Sequence, residues 1–189
     1  MLELYHCDIS KMTEEEFLKL YLGSDKNRQA KADKLKKKPD KKLSIAAADL
    51  VRTAVSEKFN INSKDVRFRV RENGKPYIEN IDIEFSISHS GTIAVCAISD
   101  KPVGIDIEQI RDVNINLVKK LFTPDEQNYV LEKWSLSKQR FFEVWTRKEA
   151  YVKMLGKGVP YFPEFSVMGN QDIKTHIRSK YIVSVAVSK

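Results

Sequence analysis

Three acidic side chains in two segments carry the clearest chemical signal of this 189-residue sequence. In the first segment, Val-Gly-Ile-Asp-Ile-Glu, apolar residues alternate with Asp106 and Glu108, which predicts a β-strand with both carboxylates on one face. In the second, residues 145–153, Glu149 and Lys153 have the i, i+4 spacing of one helix face. Oxygen ligands without histidine or cysteine suit Mg²⁺, and a nearby lysine can contact a phosphate. The pattern predicts a magnesium–phosphate site.

Each segment also has an explanation that involves no chemistry. An Asp-x-Glu pair on an edge strand is more often a solvated surface than a metal site. Glu149 and Lys153 alone can be an ordinary ion pair on the surface of a helix. Only the combination of the two segments favours a catalytic site.

The rest of the sequence predicts the elements that must position these side chains. Thr13 and Glu16 have the spacing of a capping box, and apolar residues recur at helical spacing between Asp40 and Phe59. We predict helices at 13–22, 40–59 and 137–155, a helix starting at 123, and a short helix or ordered loop at 113–121. We predict strands at 2–6, 66–70, 77–78, 85–88, 92–98, 103–108, 165–168, 173–177 and 181–187. Each half thus contains helices and antiparallel strands, as in an α+β chain of two lobes.

The composition is typical of a globular protein. Hydrophobic residues make up 42% of the chain and charged residues 31%. The longest apolar runs are far shorter than the roughly 20 residues that a transmembrane helix needs. The sequence begins without a basic region followed by an apolar stretch, which argues against a secretory signal. We therefore expect a cytoplasmic protein without a membrane partner.

The formal net charge of +7 favours acidic ligands such as coenzyme phosphates, nucleic acid or an acidic protein. Lysines are concentrated between Lys26 and Lys42, with few aromatic residues among them for base stacking. Two alternatives therefore stay open: a magnesium-dependent phosphohydrolase of a nucleotide or coenzyme, and a basic nucleic-acid-binding module. The sequence has neither a Walker-type glycine loop nor a known nucleic-acid motif to support them.

Five motifs follow one another along the chain at characteristic spacing. They are Gly74-Lys75-Pro76, Phe85 through Ser90, Val103 through Glu108, Phe122 with Glu126, and Trp145 through Lys153 followed by Gly156-Lys157-Gly158. Their order resembles that of the Sfp-type 4'-phosphopantetheinyl transferases. The resemblance implies two similar α+β lobes related by a pseudo-twofold axis. Each lobe would be a small antiparallel sheet packed with helices, with the active site in the cleft between them. We place the lobes at 1–100 and 101–189.

Enzymes of this family move 4'-phosphopantetheine from coenzyme A to a serine of an acyl or peptidyl carrier protein and release adenosine 3',5'-bisphosphate. By matching position, the resemblance implies that Asp106, Glu108 and Glu149 are Mg²⁺ ligands. Lys153 is expected against the leaving phosphate, where a fixed ammonium stabilises developing charge. Glu149 is also a candidate general base, and proton removal through a metal-bound water is an equal alternative.

The resemblance further implies a set of residues that bind the coenzyme. Ser88 and His89 are expected at its phosphates, and Lys75 and Pro76 on its adenine side. Where the family pattern has an arginine at the start of the long helix, this chain has Leu43, so Lys42 is the substitute contact for the 3'-phosphate. Lys26 is the other basic candidate near that phosphate, and Lys148 is a weaker candidate at the leaving phosphate.

The expected protein partner is an acidic helical carrier protein, whose charge complements that of this chain. We expect a monomer, because two lobes in one chain can build a complete cleft. We expect no nucleic-acid partner. The residues leave open which biosynthetic pathway, whether of fatty acids, polyketides or nonribosomal peptides, supplies the carrier.

Overall fold

The computed structural model describes residues 1–189, which form six α-helices and eight β-strands. The helices are α1 Glu14–Gly23, α2 Lys26–Asp33, α3 Lys38–Phe59, α4 Asn116–Leu121, α5 Pro124–Leu131 and α6 Ser137–Leu155. The strands are β1 Leu2–Asp8, β2 Phe68–Val70, β3 Pro76–Ile78, β4 Glu84–Ser90, β5 Ile93–Ser99, β6 Val103–Gln109, β7 Ile173–Arg178 and β8 Tyr181–Val187. Short 3-10 helices occur at Ser63–Asp65, Trp134–Leu136 and Val159–Glu164.

The strands form two three-stranded antiparallel sheets and one small hairpin. The first sheet has the order β1-β5-β4, the second has the order β6-β8-β7, and β2 pairs with β3. Every pairing is antiparallel. One long helix packs on each three-stranded sheet, α3 on the first and α6 on the second. The predicted α+β class with two similar halves is therefore confirmed.

Apolar stripes on the long helices explain this packing. On α3, Val51, Ala54 and Val55 face a cluster that includes Phe85 and Ile98 of the first sheet. A larger cluster between α6 and the second sheet contains Phe141, Phe142, Val144, Val152, Ile182 and Ala186. A third apolar layer joins β5 to β6 and β8. An apolar layer therefore lies between the two sheets, in addition to the cluster under each long helix.

Several helix ends follow the sequence signals. Thr13 and Glu16 form the expected capping box of α1, and Thr123 forms one with Glu126 at α5. Residue Gly156 ends α6 in the left-handed region, with φ of 68°. None of the helices combines the length and the hydropathy needed to cross a bilayer.

Two sequence predictions of secondary structure are wrong. The basic segment contains the unpredicted helix α2, which buries only Ala32 and so has no apolar stripe to indicate it. The segment 165–168 is not a strand. Its backbone groups bond to buried side chains instead, because Phe165 O accepts from Lys148 and Val167 N donates to Glu126.

Candidate active site

Strands β4 and β6 lie side by side and run in the same direction, joined by side chains rather than by backbone pairs. Alternate residues of β4 supply the contacts, since Ser86, Ser88 and Ser90 share one face. Ser86 Oγ accepts a hydrogen bond from Ile105 N at 3.1 Å, and Ser90 Oγ accepts one from Gln109 N at 3.0 Å. We call these three side chains the serine seam.

Asp106 is deeply buried on β6, with 4% of its surface exposed. Its Oδ1 accepts hydrogen bonds from Ser88 Oγ and from Lys153 Nζ, both at 2.7 Å. Its Oδ2 is also buried but has no hydrogen-bond partner in the protein. Burial raises the pKa of Asp106, although the Lys153 ammonium and the Ser88 hydroxyl oppose the rise. A buried oxygen without a partner costs stability, which suggests that it serves binding.

Glu108 lies two residues further along β6, on the same side of the strand. Its Oε2 accepts hydrogen bonds from Ser90 Oγ at 2.8 Å and from Arg111 Nη1 at 2.7 Å. Glu149 approaches from α6. Burial raises the pKa of Glu149, the Lys153 ammonium opposes this, and the two β6 carboxylates raise it further. The three predicted acids are thus close enough for their charges to interact.

A glycine allows α6 to lie directly on β6. A Cβ atom at Gly104 would lie 1.9 Å from Ala150 O and 2.5 Å from Met154 N, both backbone atoms of α6. Any side chain would therefore push the helix away from the strand. This close approach brings Lys153 Nζ to within hydrogen-bond distance of Asp106 and of Ile105 O, at 3.2 Å.

The three acidic residues have the ligand atoms that a magnesium ion prefers, but their side chains do not form a closed coordination site in this structure. No three acidic, histidine or cysteine side chains are grouped closely enough to hold a metal ion. Instead, Lys153 contacts Asp106 and Arg111 contacts Glu108, so cationic side chains neutralise both carboxylates. The donors are nevertheless carboxylate oxygens, which Mg²⁺ prefers, and Asp106 Oδ2 is a buried oxygen that would gain from a cation.

His89 lies at the end of β4 next to Ser88. The residue is exposed, yet desolvation of its ring lowers the pKa of the imidazole. A backbone hydrogen bond and Asp40 oppose this shift, while the positive charges of Lys153 and Arg28 lower the pKa further. Lys153 of α6 and Arg28 of α2 are therefore close enough to the imidazole for their charges to act on it, which suits an anionic ligand.

A cavity of about 760 Å³ opens in the N-terminal half, between α2, α3 and the β2–β3 hairpin, and neither Ser88 nor His89 lines it. Apolar side chains such as Val51, Val66 and Phe85 form part of its wall. Seven cationic side chains and two acidic ones also line it: Arg28, Lys31, Lys34, Arg52, Lys64, Arg67 and Arg69, with Asp25 and Asp49. The three predicted metal ligands do not line the cavity. It is a basic site for a ligand with an apolar or aromatic part.

The structure separates the predicted pair Lys75 and Pro76. Pro76 lines the basic cavity. The Lys75 ammonium instead donates to Glu84 Oε2 at 2.9 Å and lies 3.4 Å from Val103 O and 3.5 Å from Met154 O. Its side chain is 13% exposed and ties the hairpin to the end of α6. The side chain of Lys75 thus links the hairpin to α6 in this structure, and its contact with the adenine side stays a prediction.

Lys148 does not face the carboxylates either. Its ammonium is fully buried, 2.9 Å from Glu126 Oε2, and it donates to Phe162 O at 2.7 Å and to Phe165 O at 2.5 Å. Burial lowers the pKa of Lys148, and the Glu126 carboxylate opposes that shift. Consecutive helix residues point in different directions, so Lys148 enters the core while Glu149 reaches the site. Lys148 is a core residue and not a phosphate contact.

The two remaining predicted lysines, Lys42 and Lys26, do not line the basic cavity, and their contacts with the coenzyme stay predictions. Lys42 forms an ion pair with Glu14 of α1 at 2.5 Å, so the neighbouring helix engages its ammonium. Lys26 is exposed at the first position of α2 and does not line the cavity. Arg28 and Lys31 of the same helix line it instead. The sequence contains their i, i+3 spacing, but no apolar pattern indicates the helix that brings them together.

Sequence reasoning also missed Ser86, Ser90 and Arg111. The signal was available in Ser-Ile-Ser-His-Ser, where Ser86 and Ser88 alternate on the predicted strand 85–88 and Ser90 continues the alternation. Ser90 was missed because the predicted strand ended at residue 88, whereas β4 extends to Ser90. No local pattern indicated Arg111, which follows the strand and turns back onto Glu108.

Comparisons with known proteins agree with this architecture. Residues 11–101 match the family model "4'-phosphopantetheinyl transferase, N-terminal", and residues 102–184 match that of the 4'-phosphopantetheinyl transferase superfamily. The chain is 34% identical over 138 residues to 4'-phosphopantetheinyl transferase Sfp of Bacillus subtilis (strain 168), covering 71% of this chain and 62% of that protein. It is 43% identical over 115 residues to 4'-phosphopantetheinyl transferase gsp of Aneurinibacillus migulanus, covering 60% and 48%.

The two adjoining matches and the two-sheet α+β fold define the class as that of the 4'-phosphopantetheinyl transferases. Within that class, the chain belongs to the Sfp-type family. Its matched part spans about half to two thirds of the length of these curated relatives.

Proposed function

We propose that this chain transfers 4'-phosphopantetheine from coenzyme A to a serine of an acyl or peptidyl carrier protein, with Mg²⁺, and releases adenosine 3',5'-bisphosphate. The observation that carries the proposal is the environment of Asp106. Its Oδ2 is buried without a partner, while Oδ1 contacts both Ser88 and Lys153. Family membership of the chain and the names of its relatives support the choice of reaction.

In this proposal Asp106, Glu108 and Glu149 hold the magnesium ion. The bound metal would supply charge neutralisation at the coenzyme pyrophosphate. The adjacent sheet and helix are suited to this because Gly104 lets α6 lie on β6 and brings the three acids within electrostatic range.

Lys153 is the proposed catalytic cation. Its ammonium is held 2.7 Å from Asp106 and its side chain is 30% exposed, so it is fixed in direction while the side chain remains accessible to a ligand. As the carrier serine oxygen bonds to the β-phosphorus and the pyrophosphate P–O bond breaks, charge develops on the leaving phosphate, and Lys153 stabilises it. Glu149, one helical turn before Lys153, is the proposed acceptor of the serine proton.

The nucleoside end of the coenzyme belongs in the basic cavity under this proposal. A volume of about 760 Å³ can hold a nucleotide, and cations such as Arg28 and Lys31 suit its 3'-phosphate. Pro76 lines the same cavity, Ser88 contacts Asp106, and the charges of Lys153 and Arg28 act on His89. The ligand would thus extend from the first half of the chain to the metal site in the second.

We also propose that residues 1–100 and 101–189 are the two lobes of one monomeric unit. The two family matches meet at residues 101 and 102, which supports this division. The carrier partner is proposed to be acidic and helical, because the chain carries a net charge of +7.

The test is the intact mass of an apo acyl carrier protein after incubation with this chain, coenzyme A and MgCl₂. We expect a gain of one phosphopantetheine group that disappears with EDTA and with Asp106→Ala. The matched control is Asp82→Ala, which removes an exposed acid that forms no ion pair with the site residues and should keep activity. No gain with carriers from several pathways, while all proteins remain folded, would refute the proposal. Release of adenosine 3',5'-bisphosphate without a gain would instead identify a hydrolase.

A further inference from the structure

The two carboxylates of β6 are held in the same way. In each of them, one oxygen accepts a hydrogen bond from a serine of β4 and another from a cationic side chain. Asp106 Oδ1 has Ser88 and Lys153 as donors, and Glu108 Oε2 has Ser90 and Arg111. The second oxygen of each carboxylate has no protein donor. Such an arrangement fixes the side chain while leaving one oxygen for a ligand.

The hydroxyl of Ser90 is itself fixed in direction. Its oxygen accepts a hydrogen bond from Gln109 N at 3.0 Å, so its proton is directed to Glu108 Oε2 at 2.8 Å. The backbone after it is held by the second half of the chain. A Cβ atom at Gly91 would lie only 2.4 Å from Tyr181 Oη, and Thr92 N donates to that oxygen at 3.4 Å.

We propose that Ser90 is a positioning residue that orients Glu108 for metal binding. The inference deepens the proposed function and rests on its magnesium site. Glu108 has a long side chain that is 20% exposed and is otherwise held only by Arg111, which is 56% exposed. Without the Ser90 hydroxyl, Arg111 alone directs the carboxylate. Groups that hydrogen-bond to metal ligands commonly change metal affinity by roughly 10- to 100-fold.

The serine seam provides its own control. Ser86 is a buried serine on the same strand, and its hydroxyl also joins β4 to β6 by accepting from Ile105 N at 3.1 Å. It contacts neither carboxylate. Removal of the Ser86 hydroxyl therefore tests only the hydrogen bonding between β4 and β6. Removal of the Ser90 hydroxyl tests this hydrogen bonding and also the orientation of Glu108.

The experiment measures Mn²⁺ binding to the full chain by electron paramagnetic resonance, with and without coenzyme A. The affinity for Mg²⁺ is measured by its displacement of bound Mn²⁺. We expect Ser90→Ala to weaken Mn²⁺ binding by roughly tenfold. Ser90→Thr, which keeps the hydroxyl, should restore most of the affinity, and Ser86→Ala should leave it unchanged. Thermal unfolding of each variant shows whether the fold is retained.

Two results would overturn the inference while leaving the proposed transfer intact: wild-type affinity in Ser90→Ala, or an equal loss of affinity in Ser86→Ala. Metal binding that is weakened only in Ser90→Ala would support the inference even if no carrier protein were modified, in which case the proposed function alone would fail. Absence of metal binding in the wild-type chain would overturn the inference together with the magnesium site.

Discussion

Replacing Gly104 with alanine is expected to separate the two elements that build the site. The new Cβ would lie 1.9 Å from Ala150 O, whereas ordinary contact begins at 3.4 Å. Because the obstructing atoms belong to the helix backbone, α6 must move by roughly 1.5 Å relative to β6. The hydrogen bond between Lys153 Nζ and Asp106 Oδ1, now 2.7 Å, would then exceed hydrogen-bonding distance.

A misplacement of about 1 Å in a catalytic site can lower the rate by roughly 100-fold. We expect a loss of that size in kcat/KM for carrier modification, followed by intact mass against time. Overpacking of this kind should also lower the free energy of unfolding by about 1–3 kcal/mol, measured by urea denaturation.

The control for this substitution is Gly23→Ala at the end of α1. A Cβ there meets nothing within 4 Å, and its φ is not in the left-handed region, so the free energy of unfolding should be preserved. Because Gly23 lines the basic cavity, this variant is a control for stability alone. If Gly104→Ala retained the wild-type rate, the strand and helix would not depend on this contact. If Gly23→Ala lost as much stability, the destabilisation would not be specific to the contact at Gly104.

Three further outcomes follow from charges in the structure. Lys148→Met should destabilise the fold by about 3–5 kcal/mol in urea denaturation, because Glu126 would be left buried and unpaired; adding Glu126→Gln should recover part of the loss. The pKa of His89 lies below the ordinary 6.5, so its ring should be neutral at pH 7 and protonate only in more acid solution; a ring-proton NMR titration midpoint above 6.5 would contradict this. The apparent KM for an acidic carrier should rise with ionic strength, and an unchanged KM would argue against guidance by charge.

Local periodicity was sufficient to predict the elements that carry the site. Strand β6 and helix α6 have alternation and i, i+4 patterns that follow directly from backbone geometry, and both occur where the sequence indicates them. The sequence also placed Asp106 and Glu108 on one side of a strand. Their hydrogen bonds to Ser88 and Ser90 agree with that placement.

The roles of the lysines could not be predicted in this way, because they depend on contacts between distant segments. Lys75 is close in sequence to Pro76 but reaches the end of α6, 79 residues away. Lys148 is adjacent to Glu149, yet its partner is Glu126 in the core. Charge alone does not indicate which neighbour a lysine meets, and α2 lacks the apolar stripe that would have indicated its cations.

The contact between the two sheets resembles an interface between two subunits. Strands β4 and β6 have no backbone pairing, and the halves meet through serine hydroxyls and an apolar layer, much as two subunits meet in a dimer. Only residues 100–102 separate β5 from β6. So short a tether gives each half an effective concentration on the order of millimolar at its partner, so that an interface too weak to hold two free chains suffices here. The chain therefore resembles a dimer whose two subunits are covalently joined, so that its interface can serve ligand binding as well as association.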